Sequence, residues 1–372
     1  MDNLYQKLAR HLDGLPGGFP PTQSGVELRI LRRLFAEDEA ALALHLGLIP
    51  VEAAIIAHRA GIPRPDAEQR LAAMARKGLI MGLAAADRPI QYMAAQFVIG
   101  IWEFHVNDLD QELIRDFNEY LPSLFPEAWK LPQLRTIPVN RSLDAQIKVF
   151  TYEKAEELVR QATKLAVAPC ICRRERRIAG EGCDRPEEAC LVFNMGAELY
   201  LRNGLGREIG REEALAILAA ADEAGLVLQP GNSQEAMNIC CCCGCCCGVL
   251  RSLKTCARPA AMAATAFVAR LNSKSCGGCG TCTTRCQMEA LEIIDGLASL
   301  DRDRCIGCGL CVSTCPTGSL TLARKPDPEQ PRVPKDGVQS LIQLGRARGR
   351  LSAPGLAWML LKSKMERLRL LE

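Results

Sequence analysis

Eight cysteines towards the carboxyl end of the chain repeat one spacing twice. The first run starts at Cys276 and the second at Cys305, each reads C-x2-C-x2-C-x3-C, and Pro316 follows the second directly. Three thiolates two residues apart can wrap a short loop around one corner of an iron–sulfur cubane. Paired cysteines could also form a zinc ribbon or a disulfide knot. A doubled run of four, closed by a proline, favours the iron–sulfur cluster.

Over about residues 270 to 323, this segment resembles the bacterial dicluster ferredoxin family, in which the fourth cysteine of each run ligates the cluster of the other run. The resemblance implies two [4Fe-4S] clusters that carry single electrons. Gln287 stands where the family usually has a proline, and we expect it to affect local stiffness or potential rather than ligation. The implied ligands are Cys276, Cys279, Cys282 and Cys315 for cluster 1, and Cys305, Cys308, Cys311 and Cys286 for cluster 2.

A second group of cysteines lies in the middle of the chain. Cys170, Cys172, Cys183 and Cys190 follow the spacing C-x-C-x10-C-x6-C, a complete ligand set for one more centre. We predict a third [4Fe-4S] cluster there; the alternatives are a tetrahedral zinc site and unligated buried thiols. Cations beside thiolates favour the deprotonated, ligating form, although a basic run can equally be a solvated surface. The basic residues that follow Cys172 are Arg173, Arg174, Arg176 and Arg177.

From Cys240 to Cys247, seven of eight residues are cysteine. Neighbouring side chains diverge in extended and helical backbone, so at most a subset of these thiols can ligate one cluster. We predict a further iron–sulfur site here; the alternative is that some of these thiols complete the Cys170 centre while Cys183 or Cys190 has another role. The pattern from Cys170 to Cys247 resembles a domain found beside ferredoxin modules in anaerobic bacteria and archaea. The candidate ligands are Cys240, Cys242, Cys243, Cys245, Cys246, Cys247 and Cys256.

Length and composition limit the class of protein. The 372 residues suffice for two or three domains. The start of the chain has no apolar segment typical of a secretory signal, so we expect metal-binding thiols in a reducing cytoplasm. A net charge of +3 by itself predicts neither nucleic-acid binding nor membrane binding. The sequence has no P-loop and no dinucleotide-binding glycine motif, and its four histidines are scattered, so we predict no catalytic residue.

Residues 24 to about 100 predict helices followed by a hairpin. Ser24 and Glu27 suggest a capping box, and Asp87, Arg88 and Pro89 suggest a turn between two apolar strands. This order resembles the bacterial winged-helix regulators. DNA readers usually show a basic face, but this stretch has nine basic residues against eight acidic ones. The alternatives are DNA binding and a protein-docking or structural role.

The carboxyl-terminal segment predicts a basic amphipathic helix after a proline-rich linker. Trp358, Met359, Leu361 and Met365 can share one helical side, with basic residues on the other. Such a helix can lie on a membrane surface as a peripheral contact, dock on an acidic partner, or pack on the chain's own domains.

Together these patterns predict an α+β multidomain protein that passes single electrons to or from a larger oxidoreductase in anaerobic metabolism. The alternatives are a redox-sensing, DNA-binding regulator and a reductase with an unusual catalytic cluster around Cys240 to Cys247. The predicted segments are an N-terminal helix (1–23), a winged-helix-like domain (24–135), a cysteine-rich iron–sulfur domain (136–269), a ferredoxin domain (270–325), and a linker with a basic helix (326–372).

Overall fold

The computed structural model describes residues 2–85 and 88–370. Within them, no helix is both long and apolar enough to cross a bilayer. The chain divides into two compact units. Unit 1 comprises Met1–Leu131, Glu198–Leu205 and Leu341–Glu372, and unit 2 comprises Pro132–Ala197 and Gly206–Ser340.

Helices and strands alternate along the chain, which agrees with the predicted mixed class. The helices are α1 (Asp2–Asp13), α2 (Val26–Leu34), α3 (Glu37–Ala43), α4 (Ala53–Ala60), α5 (Arg64–Arg76), α6 (Trp102–Phe104), α7 (Gln111–Ala128), α8 (Ala155–Gln161), α9 (Ile171–Ile178), α10 (Met195–Arg202), α11 (Arg211–Glu223), α12 (Gly248–Thr255), α13 (Pro259–Met262), α14 (Thr281–Arg285), α15 (Gly337–Ala347) and α16 (Ala353–Leu370). The strands are β1 (Val51–Glu52), β2 (Ile80–Ala85), β3 (Arg88–Ala94), β4 (Leu165–Pro169), β5 (Glu188–Phe193), β6 (Arg207–Glu208), β7 (Val227–Pro230), β8 (Asn238–Cys242), β9 (Phe267–Leu271), β10 (Leu291–Ile294), β11 (Leu297–Leu300) and β12 (Leu320–Arg324).

In unit 1, α4 and α5 are followed by an antiparallel hairpin of β2 and β3. Gly61 and Gly78 end the two helices with positive φ angles of 66° and 78°, which glycine adopts without steric cost. Strand β1 pairs with β3, so the sheet has three strands in the order β1-β3-β2 rather than the two predicted. The predicted turn residue Asp87 lies outside the described residues, and Arg88 and Pro89 belong to β3. The winged-helix resemblance stays a prediction.

The predicted capping box at Ser24 is wrong. Helix α2 begins after Gly25, which has a positive φ of 67° and cannot cap through a side chain. Thr22 takes the capping role instead, because its Oγ1 accepts a hydrogen bond from the Val26 amide at 3.2 Å. The Glu27 carboxylate accepts one from the Thr22 amide at 3.1 Å.

Helix α16 packs on α4 through polar contacts. Glu366 pairs with Arg59 at 2.5 Å, and Arg367 with Glu52 at 3.0 Å. Met359 lies on this packed side, where it lines a cavity with Ser363. The structure therefore separates Met359 from the other predicted apolar residues. Those side chains, Trp358, Leu361 and Met365, are exposed.

Unit 2 contains a five-stranded antiparallel sheet in the order β6-β4-β5-β8-β7. Strands β9 and β12 pair antiparallel over Phe267 to Leu271 and frame the predicted ferredoxin segment. The hairpin of β10 and β11 connects its two cysteine runs. Alternate residues of a strand point to opposite faces of the sheet, so the register of β5 and β8 decides which cysteines meet.

Asp222, near the end of α11, contacts both cysteine runs of the ferredoxin segment. Its carboxylate accepts from Arg285 of the first cysteine run at 3.0 Å and from Arg141 at 2.7 Å. Ser313 of the second cysteine run donates to it at 3.3 Å. The side chains of Asp222 and Arg285 are only 8 % and 13 % exposed, so water screens this pair weakly.

We predict that Asp222→Ala lowers the free energy of unfolding by about 3–5 kcal/mol, because it leaves the Arg285 guanidinium buried without its carboxylate. Anaerobic denaturant unfolding of the cluster-loaded protein measures the change. Glu213→Ala on the same helix removes a solvent-exposed ion pair with Arg207 and should cost at most about 1 kcal/mol. Equal losses in the two variants would contradict the role given to Asp222.

Candidate metal centres

Two cavities in the ferredoxin segment are each lined by four cysteines, one of which belongs to the other run. Each gathers the four residues predicted to ligate one cluster, because the fourth cysteine of each run reaches across the segment. The first cavity is lined by Cys286, Cys305, Cys308 and Cys311, and the second by Cys276, Cys279, Cys282 and Cys315.

Backbone amides point at sulfurs in both cavities. The Ala290 amide lies 3.2 Å from Cys286 Sγ, and the Ala298 amide lies 3.4 Å from Cys276 Sγ. Such N–H···S hydrogen bonds stabilise negative charge on the sulfur and are one of the means by which proteins set a cluster's potential.

The two cavities differ in exposure. Cys305 and Cys311 of the first cavity are both 8 % exposed, whereas Cys279 of the second is exposed to solvent. Burial raises the pKa of the Cys308 thiol to about 12, whereas a hydrogen bond to Thr281 lowers the pKa of Cys279. The second cavity is therefore the one near the surface.

Only glycine fits at Gly307 within the second run. Its φ is 67°, and a Cβ atom there would lie 2.2 Å from the carbonyl oxygen of Phe267. This close approach packs the loop against strand β9, next to the first cavity.

Six cysteines of the middle region converge into one group, which we call the six-thiol set. Cys190 and Cys240 are cross-strand partners on β5 and β8, and Cys242 lies two residues further along the same face. Cys241 between them points to the opposite face. Each thiol of the set shifts the pKa of the next, in the order Cys190, Cys240, Cys242, Cys247, Cys172 and Cys170.

Two helix N-termini face the six-thiol set. Cys170 is the N-cap of α9 and Cys247 is the N-cap of α12, positions at which free amides and the helix dipole favour negative charge. A hydrogen bond from Cys172 and the amides of Leu250 and Val249 lower the pKa of Cys247. Neighbouring thiols and burial raise the pKa of Cys172, Cys190 and Cys242 instead, so the set combines thiols that ionise easily with thiols that resist ionisation.

A separate group of four cysteines lies beside the first, and we call it the four-thiol set. Cys183, Cys243, Cys245 and Cys246 have all their sulfurs within 4.8 Å of one another. Burial disfavours ionisation of Cys183, but hydrogen bonds from the Arg185 backbone and neighbouring thiols lower its pKa to about 7. Residues 244–246 form a turn, which directs adjacent thiols to one point as extended or helical backbone would not.

Arg173 lies between the two sets and is 1 % exposed. One of its guanidinium nitrogens donates to the Cys241 carbonyl at 3.0 Å and to Cys243 Sγ at 3.7 Å. Burial disfavours its charge, but attraction to Cys170 and Cys243 outweighs that cost and raises its pKa. The other three arginines of the predicted run form ion pairs with Glu187 or Glu181 instead.

The structure thus divides the middle cysteines differently from the predicted four-cysteine centre, and in the manner of the alternative: Cys247 lies with Cys170, whereas Cys183 lies elsewhere. Cys183 belongs to the four-thiol set, whereas Cys170, Cys172 and Cys190 belong to the six-thiol set. Cys256 lies at the far end of α12, where its thiol donates to the Ser252 carbonyl. Sequence spacing did not reveal this division because the turn at residues 244–246 and the pairing of β5 with β8 are tertiary features.

Residues 269–322 match a family described as the 4Fe-4S dicluster domain. No curated protein and no solved structure matches the chain. The matched residues cover both cavities of the ferredoxin segment and confirm the predicted ferredoxin module. The chain therefore carries two or more [4Fe-4S] clusters, cofactors that transfer single electrons.

We predict that Cys305→Ala removes about four irons per chain and part of the absorption near 400 nm, because the buried cubane loses one of its ligands. Iron and acid-labile sulfide determination on anaerobically purified protein measures the loss. Cys241→Ala is the control, since this buried cysteine points away from both thiol sets and should keep its iron. Unchanged iron content in Cys305→Ala would contradict the ligand assignment.

Proposed function

We propose that this chain carries single electrons to or from a larger oxidoreductase in anaerobic metabolism, through its two ferredoxin clusters and a third iron–sulfur centre held by the six-thiol set. The observation that carries the proposal is the convergence of six cysteines, two buried and four half-buried, beside a dicluster module. Two helix N-termini and Arg173 supply the positive potential that such an anionic centre needs.

A direct contact within unit 2 connects the middle cysteines with cluster 2. Gln287 follows the proposed ligand Cys286, and its side-chain oxygen accepts a hydrogen bond from the Gly244 amide at 2.8 Å. Gly244 lies among the cysteines of the four-thiol set, and a Cβ atom there would come within 2.2 Å of the Gln287 carbonyl oxygen. Backbone of the cysteine-rich turn therefore touches the loop that holds cluster 2, which provides a short path for electrons.

The exposed end of this path is cluster 1. Cys279 is exposed and Cys315 half-buried, so a redox partner can approach this cluster more closely than cluster 2. We therefore propose that electrons are exchanged with the partner protein at cluster 1. Peripheral membrane contact through α16, whose Trp358 and Leu361 side chains are exposed, remains a separate proposal.

The alternative of a redox-sensing, DNA-binding regulator finds less support in the described side chains. Arg64 at the start of α5 pairs with Glu68, and Arg70 pairs with Asp38. Arg59 is held by Glu366 of α16. Cations already bound to carboxylates contribute less to phosphate binding. Salt-dependent binding of holo and apo protein to DNA tests this alternative.

One observation favours the alternative of a reductase. The six-thiol set offers more thiols than the four that a saturated cubane binds, so the centre there is not limited to a saturated cubane. A centre with an open coordination position could bind a substrate, whereas a saturated cubane only passes electrons. EPR of the reduced protein with added small ligands distinguishes the two, because only an open position changes its signal.

We predict that Cys242→Ala removes the EPR signal of the third centre and leaves both ferredoxin clusters. Cys242 contacts Cys240 and Cys247 in the middle of the six-thiol set, whereas the cavities of the ferredoxin module are lined by other residues. Spin quantitation after anaerobic reduction, with Cys241→Ala as the matched control, measures the effect. Wild-type protein with only about eight sulfide-matched irons, the content of two cubanes, would contradict the third centre.

A further inference from the structure

The four-thiol set has an unusually short spacing between its sulfurs. Cys183 Sγ lies 3.9 Å from Cys243 Sγ and 3.6 Å from Cys246 Sγ. The sulfurs of Cys245 and Cys246 are 3.7 Å apart. Among the described residues, this is the one group of three or more cysteines, histidines or carboxylates whose ligand atoms all lie within 4.8 Å of one another.

This spacing is that of ligands that share one metal ion. Metal–sulfur bonds of about 2.3 Å, arranged as a tetrahedron, place the ligand sulfurs about 3.8 Å apart. In a cubane each cysteine binds a different iron at a different corner, so its ligand sulfurs lie farther apart. Among the described ferredoxin cysteines no three converge in this way, and they line two cavities.

Charge around the four-thiol set also suits a metal site. Four thiolates and one divalent ion carry a net charge of −2, which requires nearby cations or solvent. Arg185 donates to Cys245 Sγ at 3.4 Å, and Arg173 approaches Cys243 Sγ at 3.7 Å. Two further nitrogens of the buried Arg173 side chain, Nε and Nη2, have no hydrogen-bond partner in the described structure, so this cation is available to an anionic centre.

The backbone holds the four sulfurs in place before any metal arrives. Gln287 accepts from the Gly244 amide at 2.8 Å and fixes the turn that carries Cys245 and Cys246. On the other side, Arg185 donates to the Ala224 carbonyl at 3.0 Å and anchors the loop of Cys183. Preorganised ligands reduce the conformational cost of binding.

We propose that Cys183, Cys243, Cys245 and Cys246 bind a single tetrahedral thiophilic ion, iron or zinc, separate from every iron–sulfur cluster of the chain. Binding displaces the thiol protons, and the four thiolates complete the coordination of the ion. The proposal is independent of electron transfer by the clusters, since an ion without bridging sulfide occupies this site whatever the clusters do.

Metal and sulfide determination on the full-length, anaerobically purified protein tests the proposal. A cubane contains iron and sulfide in equal numbers, so the single ion should appear as about one iron or zinc per chain in excess of sulfide. Cys183→Ser and Cys245→Ser should each lose that ion and no sulfide. Cys256→Ser and Cys241→Ser are the matched controls and should keep both. Loss of iron and sulfide in equal amounts from the first pair would overturn the proposal.

X-ray absorption of the unmodified protein gives a second test that does not depend on the folding of variants. If the excess metal is zinc, the fine structure beyond its absorption edge should show four sulfur neighbours at about 2.3 Å and no neighbouring metal. If it is iron, oxidised protein should show the EPR signal of an isolated high-spin ferric ion, absent from Cys245→Ser. Wild-type metal that matches sulfide one to one, with neither signature, would also overturn the proposal.

Discussion

The middle of this protein depends on charge compensation for buried thiolates. A thiolate removed from water is stable only beside a cation, an amide donor or a metal. Arg173, 1 % exposed, contacts a sulfur of the four-thiol set and is attracted to Cys170 of the six-thiol set. The N-termini of α9 and α12 add their dipoles at Cys170 and Cys247. The Cys172 thiol and these groups lower the pKa of Cys170 and Cys247, whereas neighbouring thiols and burial raise the pKa of Cys172, Cys190 and Cys242.

Within unit 2, polar contacts connect the region of the middle cysteines to the ferredoxin module. Asp222 holds Arg285, and Gln287 holds Gly244, so the residues on either side of Cys286 are both fixed to the middle region. Gln287 stands at the position where the ferredoxin pattern usually has a proline. Its side-chain oxygen accepts a hydrogen bond from the Gly244 amide, and a proline has no side-chain oxygen that could do so. Gln287 therefore makes a contact between the middle cysteines and the ferredoxin module that a proline could not make.

Much of the ferredoxin module could be predicted from sequence because its ligands follow a short, repeated spacing in loops whose shape the glycines fix. The grouping of the middle cysteines could not be predicted from sequence, because it depends on which strands pair in the folded chain. Cys183 and Cys190 are close in sequence but belong to different sets, because Cys190 faces Cys240 across the sheet. Adjacent thiols diverge at Cys241 and Cys242 on β8, as expected for extended backbone, whereas the sulfurs of Cys245 and Cys246, which lie in a turn, are 3.7 Å apart.

The position of the four-thiol set determines what an ion there can do. It shares Arg173 with the six-thiol set and touches the cluster 2 loop through Gly244 and Gln287, so it lies between the proposed third centre and the proposed cluster 2 ligands. Zinc has no accessible second oxidation state, so a zinc ion would hold the turn while electrons pass directly between the clusters. Iron at the same place would accept and release the electron itself. The hydrogen bonds from Arg173 and Arg185 would then favour the reduced, more negative state, because cations near sulfur ligands stabilise added negative charge.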